Sequence, residues 1–345
     1  MASWPRAEFT KGELEAVLGR YDIGTIRSID PLARGSRHAP KAILTTDVGR
    51  YLLKRRAPGR DNPVKVAFSH GVQRHLARSG FPLPRLQPTR DGETMLVLDG
   101  RIYEMFEYVS GEPFDRSPGA AQDAGRVLGL FHKALEGYRT EWQPSYNCYH
   151  DNNGVRTSLN GLPAAINMHD SVAGQEAELL ATVNQLYDAY DRASAVVEAG
   201  GFREWPSQVV HTDWHPGNML FAGGRVSAVI DYDSLHWLPC VTDVANAVLQ
   251  FSILGDGGDP LSWPAAPDET RVRRFLAGYT SVHSLNNDER RLLPYLMIEA
   301  LIAEAVCPVA ATGSFGRMEG YRFLRVVLEK TRWLQRKGGS ITAMP

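Results

Sequence analysis

The first hundred residues alternate between short apolar runs and turn-forming residues. Runs rich in β-branched or aromatic residues predict strands at 23–29, 42–46, 50–54, 94–98 and 102–109. One helix is predicted at 63–79, where apolar residues recur at steps of three and four and form a face for the sheet. This order of elements indicates an antiparallel sheet that carries one helix.

Helical periodicity replaces the strand pattern from about residue 110 onward. Helices are predicted at 123–135, 176–199, 270–279, 288–306 and 318–336. A compact strand-and-turn region at 209–230 lies among them. We therefore expect an α+β chain with two unequal parts, a small sheet-containing part at 1–109 and a larger, mainly helical part at 110–345.

Composition narrows the class of protein. The chain has 345 residues, 43% hydrophobic and 22% charged, an ordinary globular balance. A net charge of −1 provides no basic field for nucleic acid, and no run of 18 or more apolar residues predicts a membrane-spanning helix. The N-terminus lacks the pattern of a signal peptide. Cys148, Cys240 and Cys307 lie far apart without CxxC spacing, which favours a reducing, cytoplasmic location over a disulfide framework.

The candidate chemistry lies in a polar segment at 211–218 and in Ile-Asp-Tyr-Asp at 230–233. Phosphoryl transfer needs a carboxylate to orient and deprotonate the acceptor hydroxyl, and oxygen ligands to hold magnesium against the phosphates. Asp213 is suited to the first role, while Asn218 and Asp231 offer the hard oxygen donors that magnesium prefers. A hairpin between the two segments would bring these side chains together.

This constellation resembles the catalytic and metal-binding motifs of the aminoglycoside phosphotransferase superfamily, which includes choline kinase-like and homoserine kinase-like enzymes. The usual pattern is His-Gly-Asp, four residues and Asn, then Ile-Asp with an aromatic residue and an acid. The resemblance implies a bilobal protein-kinase-like fold, with a nucleotide-binding lobe at 1–109 and a catalytic and substrate-binding lobe at 110–345. It implies ATP and Mg²⁺ as cofactors and a small-molecule hydroxyl as acceptor. The implied catalytic residues are Asp213 and His211, and the implied metal ligands are Asn218, Asp231 and Asp233.

Two positions near the catalytic segment qualify the match. Thr212 stands where the family usually has glycine, so a loop conformation with positive φ would be strained at this residue. Asp243 resembles the acid with which family members tie the catalytic loop to the next helix. His211 is expected to brace the loop through backbone hydrogen bonds.

The same resemblance assigns the strand lysine that holds the α- and β-phosphates to Lys54. Strand alternation places Arg56 on the same face as Lys54. Kinase-like folds usually pair this lysine with a glutamate on the helix of the small lobe, but 63–79 contains no acidic residue. The candidates for its partner are His70, Gln73 and Asp231.

The remaining nucleotide contacts are implied by position alone. The turn at 32–39 would cover the phosphates, and it contains only Gly35, so Ser36 and its backbone N–H groups are assigned to phosphate contact. Glu107 and Val109 fall where the backbone of the hinge meets adenine. Because the hinge would recognise a purine mainly through backbone atoms, GTP stays an alternative to ATP as the phosphoryl donor.

Other readings of the same residues stay open. His211, Asp213 and His215 at alternate positions are compatible with a zinc site, although this leaves Asn218 and the 230–233 motif unexplained. A serine/threonine protein kinase and a nucleotide-binding pseudokinase also fit the motifs. The acceptor is open as well, since an aminoglycoside would need an acidic pocket and a choline-like substrate an aromatic cage.

Overall fold

The computed structural model describes residues 6–142, 147–169, 174–255 and 259–342. The N-terminal lobe is an antiparallel five-stranded sheet accompanied by two helices, α1 (Lys11–Leu18) and α2 (Pro63–Arg78). Its strands are β1 (Ile26–Pro31), β2 (Lys41–Thr46), β3 (Arg50–Arg55), β4 (Leu96–Leu98) and β5 (Arg101–Glu107). They lie in the order β1-β2-β3-β5-β4. All five predicted strands are present, with shifted ends.

The first helix, α1, was not predicted. It begins at a capping box in which the Thr10 hydroxyl accepts a hydrogen bond from the backbone N–H of Glu13, and the Glu13 carboxylate accepts one from that of Thr10, each at 3.2 Å. Glu13 Oε1 also accepts hydrogen bonds from Arg55 at 2.6 Å and Tyr103 at 2.7 Å, which fixes the helix to the sheet. The Thr-x-x-Glu spacing was a usable signal of this helix start.

The apolar face of α2 packs differently from the prediction. Phe68, Val72 and Leu76 were expected to lie on the sheet, but they belong to the core of the C-terminal lobe. That prediction was wrong because the larger lobe offers the larger apolar surface. Another side of the helix meets the sheet, where His70 Nε2 lies 2.7 Å from Glu104 Oε1 of β5. The helix α2 therefore links the two lobes.

The described residues of the C-terminal lobe form seven long helices and three short strand pairs. The helices are α3 (Pro118–Ala134), α4 (Asn153–His169), α5 (Glu176–Ala199), α6 (Cys240–Ser252), α7 (Glu269–Thr280), α8 (Asn287–Thr312) and α9 (Gly320–Thr342). The pairs are β6 (Ser207–Val210) with β9 (His236–Pro239), β7 (Met219–Ala222) with β8 (Arg225–Val229), and β10 (Ser314–Phe315) with β11 (Met318–Glu319). The α+β, bilobal prediction is confirmed.

Two helices of this lobe were missed for physical reasons. In α6 every residue except Gln250 is buried, so no alternation of apolar and polar residues marks a face. The helix α4 contains Pro163 in its interior, a residue that normally argues against a helix. Both helices matter for function, because α6 carries Asp243 and α4 begins beside the cavity described below.

The central helix of the lobe is α8. Its length and its mean hydropathy of 1.7 over an 18-residue window are sufficient for a membrane span, but 78% of that window is buried inside the protein. Burial of this kind is typical of a core helix. The high mean hydropathy of α8 was not recognised from the sequence, because polar residues interrupt its apolar run.

Backbone contact between α3 and α7 gives a test of the fold. A Cβ atom on Gly278 would lie 1.9 Å from the Gln122 carbonyl oxygen. We expect Gly278→Ala to lower the free energy of unfolding by about 1–3 kcal/mol, because two helices would be forced apart. Chemical denaturation measures this difference.

Gly161 of α4 provides the matched control, since a Cβ atom there would have no neighbour within 4 Å. The Gly161→Ala change is expected to raise the free energy of unfolding by up to about 1 kcal/mol through helix propensity. Equal effects of the two substitutions would show that the α3–α7 contact is not tight.

Candidate active site

The catalytic loop at 211–218 connects β6 to β7 and is held by a buried carboxylate from α6. Asp243 Oδ2 accepts a hydrogen bond from the backbone N–H of His211, and Oδ1 accepts one from that of Thr212, both at 2.7 Å. His132 Nε2 of α3 lies 3.1 Å from Oδ2. The predicted role of Asp243 as the tie of this loop is confirmed.

Thr212 adopts the strained conformation that the sequence indicated. Its φ is +59°, in the left-handed region that a β-branched residue rarely enters. The Thr212 hydroxyl donates a hydrogen bond to the backbone carbonyl of Ser234. This bond offsets part of the strain and fixes the loop to the segment that follows the second motif.

Asp213 lies on the loop with its carboxylate partly accessible. Its Oδ2 accepts a hydrogen bond of 2.8 Å from Asn218 Nδ2, and its Oδ1 lies 3.4 Å from His215 Nε2. Burial acts to raise the pKa of Asp213, but the hydrogen bond and charge of His215, with smaller effects of His211 and Asn218, lower it overall. The carboxylate is therefore ionised at neutral pH and ready to accept a proton.

The ring of His211 is fully buried and makes only apolar contacts. It packs against the rings of Phe131, Trp214 and Tyr232, with centroid distances of 5.8, 5.4 and 5.3 Å. Neither ring nitrogen has a hydrogen-bond partner among the described residues. Burial lowers the pKa of His211, so the imidazole is neutral. It holds the loop through its backbone and through ring packing.

Asn218 and Asp231 are brought together by the β7–β8 hairpin. The backbone N–H of Ile230 donates to the carbonyl of Asn218 at 2.9 Å, so the two motifs run side by side. Because the amide nitrogen of Asn218 is engaged with Asp213, its amide oxygen is the atom left to face a cation. Asp231 is exposed and has a φ of +66°. One amide oxygen and one accessible carboxylate are a suitable partial ligand set for Mg²⁺.

Asp233 occupies a different position from Asp231. Its Oδ2 accepts a hydrogen bond from Lys54 at 3.1 Å, and its Oδ1 accepts one from Arg56 at 2.8 Å. Both carboxylate oxygens are thus engaged by cations of the N-terminal lobe. The prediction that Asp233 binds metal stays a prediction, and this geometry favours a role in holding Lys54.

The partner of Lys54 comes from β5. Lys54 and Glu104 are directly opposed across β3 and β5, and Lys54 Nζ lies 3.7 Å from Glu104 Oε2. Of the three candidates from the sequence, Gln73 bonds within its own helix to Ser69, and His70 contacts Glu104. The third, Asp231, raises the pKa of Lys54 through its charge, behind Glu104 and Asp233. The lysine therefore lies between Glu104 and Asp233, and the sequence analysis missed Glu104.

A further cation, Lys41, lies under the turn at 32–39. A Cβ atom on Gly35 would lie 3.1 Å from Lys41 Nζ. Burial lowers the pKa of Lys41, an effect to which the charge of Lys54 adds and which Asp231 and Asp233 oppose. No ion pair joins Lys41 to a carboxylate among the described residues. Lys41 is paired with Lys54 on the neighbouring strand, a position that only the strand register reveals.

The other predicted nucleotide contacts lie at the edge of this cleft. Ser36 is exposed, and its hydroxyl accepts a hydrogen bond from the backbone N–H of His38 at 3.2 Å. Glu107 ends β5, and Val109 follows it in the segment that connects the lobes. Their contacts with phosphate and adenine stay predictions.

A cavity of about 320 Å³ opens beside the catalytic loop. Glu304 of α8 faces it, and Gln250 donates a hydrogen bond to the Glu304 carboxylate. Glu304 is exposed on the cavity side, but the packed atoms around its carboxylate desolvate it and raise its pKa to about 7, with the charge of Asp213 adding to the effect and hydrogen bonds from Asn246 and Gln250 opposing it. Other lining residues include Tyr149, Asn152, Thr212, Ser234, His236 and Cys307. The sequence offered no signal that these distant residues converge.

The zinc alternative finds no support in this geometry. No group of three or more His, Cys, Asp or Glu side chains suitable for a metal occurs among the residues that the structure describes. His215 Nδ1 accepts a hydrogen bond from the backbone N–H of Gly217 at 2.9 Å, and the ring of His211 is enclosed by aromatic side chains.

Known proteins are similar to the chain in sequence and in fold. The homoserine kinase of Sinorhizobium medicae is 26% identical to the chain over 307 residues, which are 84% of this chain and 81% of that protein. The structure of an aminoglycoside phosphotransferase from Alicyclobacillus acidocaldarius matches with a TM-score of 0.70 at 17% identity, covering 95% of this chain and 96% of that one. A microcompartment-associated aminopropanol kinase matches with a TM-score of 0.60 at 16% identity, covering 96% and 98%.

The family itself is established by sequence. A model of the phosphotransferase enzyme family matches residues 28–295, from the first strand of the sheet into α8. This range contains the ion pairs of Lys54, the catalytic loop and the hairpin that carries Asp231. With its bilobal protein-kinase-like fold, the chain is a member of the phosphotransferase enzyme family and a small-molecule kinase.

Proposed function

We propose that the protein transfers the γ-phosphoryl group of ATP to a hydroxyl group of a small amino alcohol that has no carboxylate. The observation that carries this proposal is the cavity beside the catalytic loop, which is faced by Glu304 and has no lysine or arginine among its described lining residues. The reaction class rests on the geometry of Asp213, Asn218 and Asp231 together with the family. The acceptor class rests on the charge of the cavity.

Asp213 is the group proposed to touch the acceptor. Its ionised carboxylate orients the hydroxyl and takes its proton as the phosphoryl group is transferred. Asn218 holds that carboxylate in place through its amide nitrogen at 2.8 Å. His211 is assigned a supporting role, because its ring is buried and unable to meet a substrate.

Asn218 and Asp231 are proposed to hold Mg²⁺. The ion, when bound, would neutralise charge on the phosphate oxygens. Lys54 is proposed to bind the α- and β-phosphates, with Lys41 and Ser36 beside them under the turn at 32–39. In this arrangement Lys41 and Lys54 would lie on one side of the phosphates, and Asp231 would lie on the other.

The acceptor cavity matches a cation better than a zwitterion. Glu304 provides a carboxylate for an ammonium group. No lysine or arginine lines the cavity in the part of the chain that the structure describes, and none occurs in the sequence of the remaining segments. A substrate such as homoserine would place its carboxylate in the same cavity as Glu304 without a lysine or arginine to pair with it, at an appreciable cost. This favours an acceptor like that of the aminopropanol kinase.

We place this reaction in the cytoplasm. Cys148, Cys240 and Cys307 are unpaired, which agrees with a reducing compartment. The partner proposed for the enzyme is a small-molecule hydroxyl acceptor.

The first prediction concerns the proposed base. Asp213→Asn keeps the shape of the side chain but removes its proton-accepting charge. We expect kcat to fall by about 10²–10⁴-fold while the Kd for ATP changes little. Coupled assays of ADP release and calorimetry measure these two quantities. Asp188→Asn, an exposed position on α5, is the control. Turnover at the wild-type rate in Asp213→Asn would exclude this residue as the base.

The second prediction concerns the metal. Asp231→Asn is expected to weaken nucleotide binding at least about tenfold in the presence of Mg²⁺. In its absence, wild type and variant are expected to bind nucleotide alike, because the lost group acts through the ion. Calorimetric titration with and without Mg²⁺ tests this. A loss of equal size under both conditions would contradict the assignment.

The third prediction concerns the acceptor. Aminopropanol or ethanolamine is expected to give a higher kcat/KM than homoserine. Glu304→Gln is expected to lower kcat/KM for the amino alcohol by about 10–100-fold and to leave an uncharged diol unaffected. Glu329→Gln, on the distant α9, serves as the control.

The same site sets an expected pH dependence. An ammonium group is held by the deprotonated form of Glu304, whose pKa is about 7. The KM for the amino alcohol should therefore fall as the pH rises from 6 to 8, and this slope should disappear in Glu304→Gln. A preference for homoserine would contradict an acceptor without a carboxylate, and an unchanged slope in the variant would rule out Glu304 as the ammonium partner.

A further inference from the structure

Two cations and two carboxylates form a closed ring between the lobes. Arg56 Nη2 donates to Glu104 Oε1 and to Asp233 Oδ1, each at 2.8 Å. Lys54 Nζ lies 3.1 Å from Asp233 Oδ2 and 3.7 Å from Glu104 Oε2. Lys54, Arg56 and Glu104 belong to the N-terminal sheet or its edge, while Asp233 belongs to the C-terminal lobe. The four formal charges cancel.

Two buried atoms of this ring, Arg56 Nε and Glu104 Oε2, lack a hydrogen bond within the described residues. Glu104 Oε1 is saturated by Arg56 and by His70 Nε2 at 2.7 Å, but Oε2 is buried and has no hydrogen-bond partner within the described residues. The side chain of Glu104 is 1% exposed, so water does not easily replace a missing partner. A shift of less than 1 Å by the Lys54 ammonium group would satisfy Oε2.

The helix α2 holds Glu104 without contributing an acid. His70 Nδ1 lies 2.9 Å from the hydroxyl of Thr94, and this contact leaves Nε2 to donate to Glu104. His70 thus orients the carboxylate from the helix side while Arg56 orients it from the strand side. Each donor engages Oε1, so Oε2 is directed at Lys54.

The ring permits Lys54 to leave Asp233 at low cost. Removing one partner from a buried ion pair normally leaves an uncompensated charge. Here Arg56 remains bonded to Asp233 when Lys54 moves, and Glu104 remains beside Lys54. Neither the carboxylate nor the ammonium group becomes isolated by the movement.

We propose that Glu104 is the positioning residue of Lys54 in the nucleotide complex, and that Asp233 holds Lys54 only until the phosphates bind. Nucleotide phosphates then take the place of Asp233 on the ammonium group, while Glu104 Oε2 accepts its remaining hydrogen bond. Glu104, on a strand, thereby supplies the function for which α2 has no carboxylate. This inference rests on the proposed binding of phosphate by Lys54.

The test is a double-variant cycle on nucleotide affinity. Calorimetry with a non-hydrolysable ATP analogue and Mg²⁺ is carried out on wild type, Lys54→Met, Glu104→Gln and the double variant. We expect each single variant to bind roughly tenfold more weakly, and the double variant to bind like Lys54→Met within about twofold. The KM for the acceptor should stay unchanged in Glu104→Gln. Glu93→Gln, an exposed position of the same lobe, is the control.

Two outcomes would overturn the proposal. Normal affinity in Glu104→Gln, with weakened binding in Lys54→Met, would show that Glu104 does not position the lysine. Losses that multiply in the double variant would show that Glu104 acts on the lobe rather than through Lys54. A failure of the proposed function looks different, because wild type would then bind no nucleotide or Lys54→Met would bind like wild type.

A further variant tests the role of Asp233. Asp233→Asn removes the competitor of the phosphates, so affinity should rise by about threefold or more. A tenfold loss confined to Mg²⁺-containing buffer would instead identify Asp233 as a metal ligand and overturn that half of the proposal. Thermal unfolding of every variant checks its fold. Should Glu104→Gln not fold, Glu104→Asp replaces it, with a smaller loss expected that again vanishes in the Lys54→Met background.

Discussion

The geometry of the active site depends on the buried carboxylate of Asp243. It lies in the first turn of α6, where the helix dipole favours a negative charge, and it accepts the backbone N–H groups of His211 and Thr212. A buried carboxylate without donors would be costly, so the loop and the helix are held in one arrangement. The left-handed backbone of Thr212 is part of this arrangement. The position of Asp213, one residue later, follows from it.

A second electrostatic system spans the cleft. The N-terminal lobe contributes Lys54 and Arg56, and the segment after β8 contributes Asp231 and Asp233, so the two lobes attract each other where the phosphates and metal are proposed to bind. The ring of Lys54, Arg56, Glu104 and Asp233 balances its charges internally, which limits the cost of burying them. Burial opposes the charged form of Glu104, yet the charge of Lys54, with the hydrogen bond of His70, holds its pKa well below the usual range. The ring is fully ionised.

The side proposed to bind the acceptor differs in character from the side proposed to bind the nucleotide. Its cavity is formed by residues from α6, α8 and the segment before α4, with amide, hydroxyl and thiol groups around Glu304. Proteins similar to this chain are named for homoserine, aminoglycosides and aminopropanol. We propose that the loop and hairpin set the chemistry and that the helices around the cavity set the choice of acceptor.

The sequence alone determined the family, the bilobal α+β architecture and the spacing of Asp213, Asn218 and Asp231, because these depend on local periodicity and on residues close together in the chain. It also indicated the strain at Thr212. Tertiary structure decided which distant residues meet. Glu104 reaches Lys54 through strand register, and Glu304 reaches the catalytic loop through helix packing, neither of which leaves a local pattern. The helix α6 was hidden because burial on all sides removes the alternation by which a helix is recognised.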